Sequence, residues 1–231
     1  MPAQTTMVAA GQPCFAPTLS YFQKIADADI FLLTDDLQYS SHAQMNRCRI
    51  KTRDGAAWLT IPVEQKGKGQ QILKDVRISN GMNWQKNHWK TLHVNYKSAP
   101  YFEKYDLYLE KIYRREWRFL VDFNQVFIDL ALQELRITTP VKLSSRFACN
   151  LKGTDRLIFY MDQLGCTSYL CHENEKAFTN ATHLSKAQKE LTCRNYAHPR
   201  YYQLFADFIP NLSVLDFLFN EGNESAQILA G

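Results

Sequence analysis

Two histidines and a pair of aspartates are the side chains best suited to proton chemistry in this sequence. His88 and His93 lie in the segment 83–97, whose pattern predicts a helix. At about 100° per residue, Trp89, Leu92 and Tyr96 form one apolar stripe. His93 then lies about 65° to one side of its centre and His88 about 75° to the other. A histidine at the edge of a buried stripe is shielded enough to be tuned and open enough to meet a substrate, which is where a general base works. The same pattern also fits ordinary boundary histidines of an amphipathic helix. Asp35-Asp36 follows the apolar run Ile30–Leu33, which reads as a buried strand. Carboxylates at a strand exit lie where open α/β sheets bind ligands. Neighbours in an extended chain point to opposite faces, so at most one of the two faces a given pocket. A turn pair is the plainer alternative.

Arg47 and Arg49 share one side of an extended segment, an arrangement suited to holding a carboxylate or phosphate. Other combinations carry less chemistry. Cys14, Cys48, Cys149, Cys166, Cys171 and Cys193 include no CxxC pair, and the spacing of Cys166, Cys171 and His172 is poor for zinc. Neither a metal nor a cofactor is therefore expected. Adjacent Cys171 and His172 rarely form a nucleophile–base pair. Ser144-Ser145 lacks the G-x-S-x-G context of a hydrolase elbow, and Lys66-Gly67-Lys68-Gly69 is too short for a P-loop.

These residues need a scaffold, and the sequence can supply one. Of 231 residues, 45% are hydrophobic and 22% charged, which is globular composition and excludes disorder as the main state. The length suits a single domain spanning residues 1–231. Residues 61–120 carry twelve Lys/Arg against six Asp/Glu, in a chain of net charge +4. That local surplus suits a phosphate, a nucleotide-sugar or an acidic protein surface; it is weak for a nucleic-acid binder. No apolar run spans a bilayer, and Met1–Ala10 lacks the features of a secretory signal, so the expected location is the cytoplasm.

Helix signals follow Pro17 and cover 83–97, 101–115 and 117–135. A further helix runs from Thr154, as cap, to Leu164, where Gly165 ends it. A closing helix covers 214–219. Strands are expected at 30–33, 49–52, 57–63, 76–78, 141–143, 168–171 and 191–196, with Asp54-Gly55 turning a hairpin. The class is α/β or α+β: a short central mixed sheet flanked by helices, with a helical middle section.

Several ordered strings resemble the WbqC-like protein family. They are Gln12-Pro13 with Tyr21-Phe22, then Asp35 through Tyr39, Asn46 through Lys51, Trp58 through Val63, Trp84 through His88, and Ala99 through Phe102. Ser144-Ser145, Gly153 with Arg156-Leu157, Leu164-Gly165, His198-Pro199, Tyr202-Gln203 and Leu212 through Asp216, running to Leu218-Phe219-Asn220, complete the match. The resemblance extends from Gln12 to about Glu221. It departs at 18–20, Gln44, Cys48 and Cys171-His172, which bears on the choice of acceptor.

The resemblance implies a role near surface-polysaccharide and O-antigen synthesis, with an aminoacyl (glycyl-type) or acyl group moved onto an amino sugar. The implied partners are an aminoacyl carrier protein and a nucleotide-activated amino sugar. On this reading His88 is the base and Asp35 or Asp36 orients it. Gln12, Gln38, Asn46, Arg47, Arg49, Tyr96, Tyr101, His198 and Gln203 contact substrate. The alternatives are an amide or thioester hydrolase using the same pocket, and a non-catalytic assembly protein.

Overall fold

The computed structural model describes residues 6–41, 43–81, 83–205 and 207–230. They divide into two compact units built from interleaved stretches of chain. Of the described residues, the first comprises those in 6–12, 20–36 and 137–197, and the second those in 13–19, 37–136 and 198–230.

The first unit is a five-stranded parallel sheet. Its strands are β1 (Met7–Gly11), β2 (Ile30–Leu33), β5 (Val141–Leu143), β6 (Ser168–His172) and β7 (Glu190–Arg194), in spatial order β5-β2-β1-β6-β7. Counted along the chain this is 3-2-1-4-5, the order of doubly wound α/β folds, whose ligands bind beyond the carboxyl ends of the strands. Parallel strands covered by helices are apolar throughout, and Phe31, Leu32 and Leu33 of β2 are buried accordingly. Helices α1 (Leu19–Ala26), α5 (Gly153–Leu164) and α6 (Ala181–Lys186) accompany the sheet. Val8, Leu32, Tyr160, Met161, Cys166 and Leu184 form one core cluster. Gly165 ends α5 in the left-handed conformation, as its sequence position predicts. Thr154 is not the cap of α5. The helix begins at Gly153, and the Thr154 hydroxyl instead accepts the Asn180 N–H at 3.2 Å.

The second unit is mainly helical: α2 (Trp84–Tyr96), α3 (Phe102–Arg114), α4 (Leu120–Glu134), α7 (Val214–Glu221) and α8 (Ser225–Ala230). Its hairpin, β3 (Arg47–Thr52) and β4 (Gly55–Thr60), turns at Asp54-Gly55 as expected. The antiparallel pairing is thus a sheet of its own. The strand expected at 76–78 is not formed. A 3-10 turn over Leu73–Asp75 leads into isolated bridges at Arg77 and Ile78, which hold the segment without a ladder. Aromatic packing builds this core. Phe123 meets Phe15, Trp84, Tyr113, Trp117 and Phe127 with centroid distances of 5.0–5.8 Å, mostly in tilted or edge-on geometry. Among the described residues, no helix is long and apolar enough to cross a membrane.

Candidate functional site

The first unit gathers a polar cluster where β2 and β5 end. These strands are parallel neighbours, so residues following Leu33 and Leu143 emerge at the same sheet edge. Asp35 and Asp36 follow β2; Ser144 and Ser145 follow β5 directly. Asp35 is buried, and its charge is met by three donors. Its Oδ1 accepts the Ser144 hydroxyl at 3.2 Å and the Ser145 backbone N–H at 2.9 Å, and its Oδ2 accepts the Ser145 hydroxyl at 2.6 Å. The Ser144 hydroxyl also reaches Asp36 Oδ1 and so lies against both carboxylates.

Asp36 is set differently. Its Oδ1 pairs with Arg156 Nη2 at 2.5 Å and its Oδ2 accepts the Tyr160 hydroxyl at 3.2 Å. The Asp36 and Arg156 side chains retain 14% and 16% exposure, so a charged pair reaches the sheet edge. Arg156 and Tyr160 lie four residues apart on α5, hence on one face. Burial raises the Tyr160 phenol above its ordinary range, and the nearby Asp36 charge adds to this.

The carboxyl end of the neighbouring β1 is shaped by contact. A Cβ on Gly11 would meet the Phe31 and Tyr21 rings at 2.8 Å, so only glycine fits there. Tyr21 donates to the Gln12 carbonyl at 3.0 Å, which engages the backbone of that residue. After β6, Glu175 accepts from the His172 N–H at 3.1 Å and from buried Lys24 at 2.9 and 3.0 Å. Sequence reasoning passed over Ser144 and Ser145 as common serines and did not single out Arg156, Tyr160, Lys24 or Glu175 as site residues. The usable signal was a polar pair immediately after a strand, followed by Arg156 and Tyr160 at i, i+4.

In the second unit His88 is not at a helix boundary. The buried residues of α2 are Trp84, His88, Leu92 and Tyr96, a strict i, i+4 series with His88 in its interior, whereas His93 is exposed. The His88 ring stacks on Phe15 at 5.9 Å and meets Trp84 and Tyr113 edge-on. Its Nε2 lies 3.0 Å from the Thr60 carbonyl, so this nitrogen carries the proton, and Nδ1 is left without a partner among the described residues. Burial lowers its pKa to about 4. The side chain is therefore a neutral imidazole with one open lone pair.

The register of the hairpin places Arg47 and Arg49 on one face of β3, with Trp58 opposite Arg49. The Arg47 guanidinium lies 4.6 Å from the centre of the exposed Trp58 ring. Asn46 is buried and donates to the Ile61 carbonyl at 2.8 Å, whereas exposed Gln38 bridges to Ile72 through its backbone. His198 is half-buried with Nδ1 2.9 Å from the Pro199 carbonyl.

Tyr96 and Gln203 belong to a closed network. Fully buried Asp216 accepts the Tyr96 and Tyr201 hydroxyls, each at 2.7 Å. The Tyr96 oxygen in turn accepts the Lys51 backbone N–H at 2.7 Å. The Lys51 ammonium is held by Gln203 Oε1 at 3.1 Å and the Asp207 carbonyl. Burial raises the Asp216 carboxyl above its ordinary range, against the lowering effect of its two phenol donors. Tyr101 supports the same unit, its ring lying where a Cβ on Gly222 would be.

The twelve residues divide plainly. Asp35 and Asp36 come together with Ser144, Ser145, Arg156 and Tyr160 in the first unit, which also holds Gln12. His88, Gln38, Asn46, Arg47, Arg49, Tyr96, Tyr101, His198 and Gln203 belong to the second.

Compared with known proteins, the chain matches the WbqC-like protein family over residues 12–228. It is also 32% identical over 224 residues to the uncharacterized protein Rv1507c of Mycobacterium tuberculosis, covering 96% of each chain. The chain belongs to the WbqC-like protein family.

Proposed function

We propose that the protein transfers an aminoacyl (glycyl-type) or acyl group from a carrier-protein thioester onto the amine of an amino sugar in surface-polysaccharide or O-antigen synthesis. Family membership supports the setting. The observation that carries the chemistry is the charged Asp36–Arg156 pair, with Asp35 and two serine hydroxyls, at the carboxyl edge of a parallel sheet.

In the reaction the sugar nitrogen attacks the thioester carbonyl carbon. A C–N bond forms, the C–S bond breaks, and the proton lost by the amine leaves with the thiolate. Asp36 binds and orients the amine, which attacks as its unprotonated form, while Asp35 fixes the serines beside it. The first assignment of the base, to His88, gives way here. A buried imidazole with a pKa near 4 holds a proton too weakly to collect one from an ammonium. Within the second unit, Arg47 and Arg49 share one face of β3, an arrangement that suits an anion such as a nucleotide diphosphate or an acidic carrier surface. The test is the mass of a nucleotide-activated amino sugar after incubation with a glycyl carrier-protein thioester. Wild type adds a glycyl mass, and Asp36→Asn lowers the rate by about 100-fold or more. Absence of any addition, or an unchanged rate in Asp36→Asn, refutes the proposal.

A further inference from the structure

Within the second unit, α2 and α3 border an open cavity of about 440 Å³ whose lining includes Asn83, Gln85, Lys86, Trp89, Glu110 and Arg114. This falls within the size range of small-molecule sites. Its wall has an unusual balance. Asn83 and Lys86 are exposed, and neither side chain has a hydrogen-bond or ion-pair partner among the described residues. Glu110 and Arg114 pair with each other at 2.8 Å on successive turns of α3, presenting acceptors and donors side by side. Trp89 lines the cavity half-buried, its ring near-parallel to Phe102 and Tyr113 at 6.1 and 6.2 Å, and its indole N–H has no acceptor among the described residues. Asn80 and Gln85 are anchored by bonds to the Trp117 and Arg115 carbonyls at 2.9 and 2.6 Å, which fixes that wall.

A concentration of one charge would indicate a bare anion or cation, and an apolar wall would indicate a lipid or aromatic ligand. Mixed amide, guanidinium and carboxylate groups around an indole suit a ligand whose every polar group both donates and accepts, which is the chemistry of sugar hydroxyls. We infer that the α2–α3 cavity is a saccharide-binding site for a pyranose unit, and that the free ammonium of Lys86 favours one bearing a carboxylate. This goes beyond the transfer reaction and does not rest on it.

The test uses the whole chain and three probes: methyl glucuronide, methyl glucoside and glucosamine. Titration by calorimetry, with amide chemical shifts to locate the site, should give millimolar binding in the order glucuronide, glucoside, glucosamine, with shifts on α2 and α3. The exposed positions allow substitution without loss of fold. Asn83→Ala should weaken both methyl glycosides by about fivefold, and Lys86→Ala should remove the preference for the glucuronide. No binding of any probe at about 20 mM overturns the inference. So does binding that Asn83→Ala and Trp89→Phe both leave unchanged.

Discussion

The two units each hold carboxylates against hydroxyl donors, in opposite settings. Asp216 is sealed in: two phenols, a fully buried position and a pKa raised by burial leave no route to a substrate. Asp36 is also held by a phenol and by a serine, but it is balanced by a guanidinium and keeps access at the edge of the sheet. The difference lies in what neutralises the charge. A buried acid satisfied from all sides fixes the chain around it, because removing it strands every donor that faced it. An acid paired at an edge can exchange one partner for another, as a binding or catalytic group must.

The largest expected effect breaks the sealed network. Asp216→Ala leaves the Tyr96 and Tyr201 hydroxyl protons without their acceptor and removes a charge that acts on buried Lys51. It should cost about 3–5 kcal/mol of stability, read from the shift of the denaturant midpoint.

The next effect concerns the buried imidazole of the same unit. His88 has a pKa of about 4 in the folded chain against an ordinary 6.5. As pH falls from 6.5 towards 4, the unfolded chain takes up a proton that the folded chain refuses, so stability declines across that window. The contribution is about 3 kcal/mol when complete. Denaturation measured from neutral to acid pH should show this decline. His88→Gln, whose amide can still donate to the Thr60 carbonyl but does not titrate, should flatten it. An equally steep decline in His88→Gln would show that the acid sensitivity arises elsewhere.

The smallest expected effect on stability sharpens the comparison most. Arg156→Met severs the edge pair, whose side chains keep 16% and 14% exposure, and should cost about 2 kcal/mol while impairing transfer by a much larger factor. A loss comparable to that of Asp216→Ala would mean that the edge pair is structural as well.

Local patterning carried much of the fold. β2, the hairpin and the four long helices follow from apolar period, Asp-Gly and Gly165, since each signal acts over a few residues. The strand at Met7–Gly11 was hard to read because Val-Ala-Ala-Gly is small rather than strongly β-forming. Its pairing is imposed by β2 and β6 on either side. The helical stripe of α2 was misplaced because a histidine was counted as polar. With rings packed against it from Phe15, Trp84 and Tyr113, His88 behaves as a core aromatic that donates one hydrogen bond. The alternation of Arg47 and Arg49 was legible because strand geometry alone determines it. The Asp35–Ser145 contact spans 110 residues and depends on β5 settling beside β2, which no local pattern encodes.

The most direct measurement sets Asp36→Asn beside Asp216→Asn in the same glycyl-transfer assay and the same denaturation experiment. The account predicts that Asp36→Asn lowers its unfolding midpoint only slightly and loses transfer, while Asp216→Asn unfolds at much lower denaturant and transfers normally where folded. Wild-type transfer by folded Asp36→Asn would contradict it.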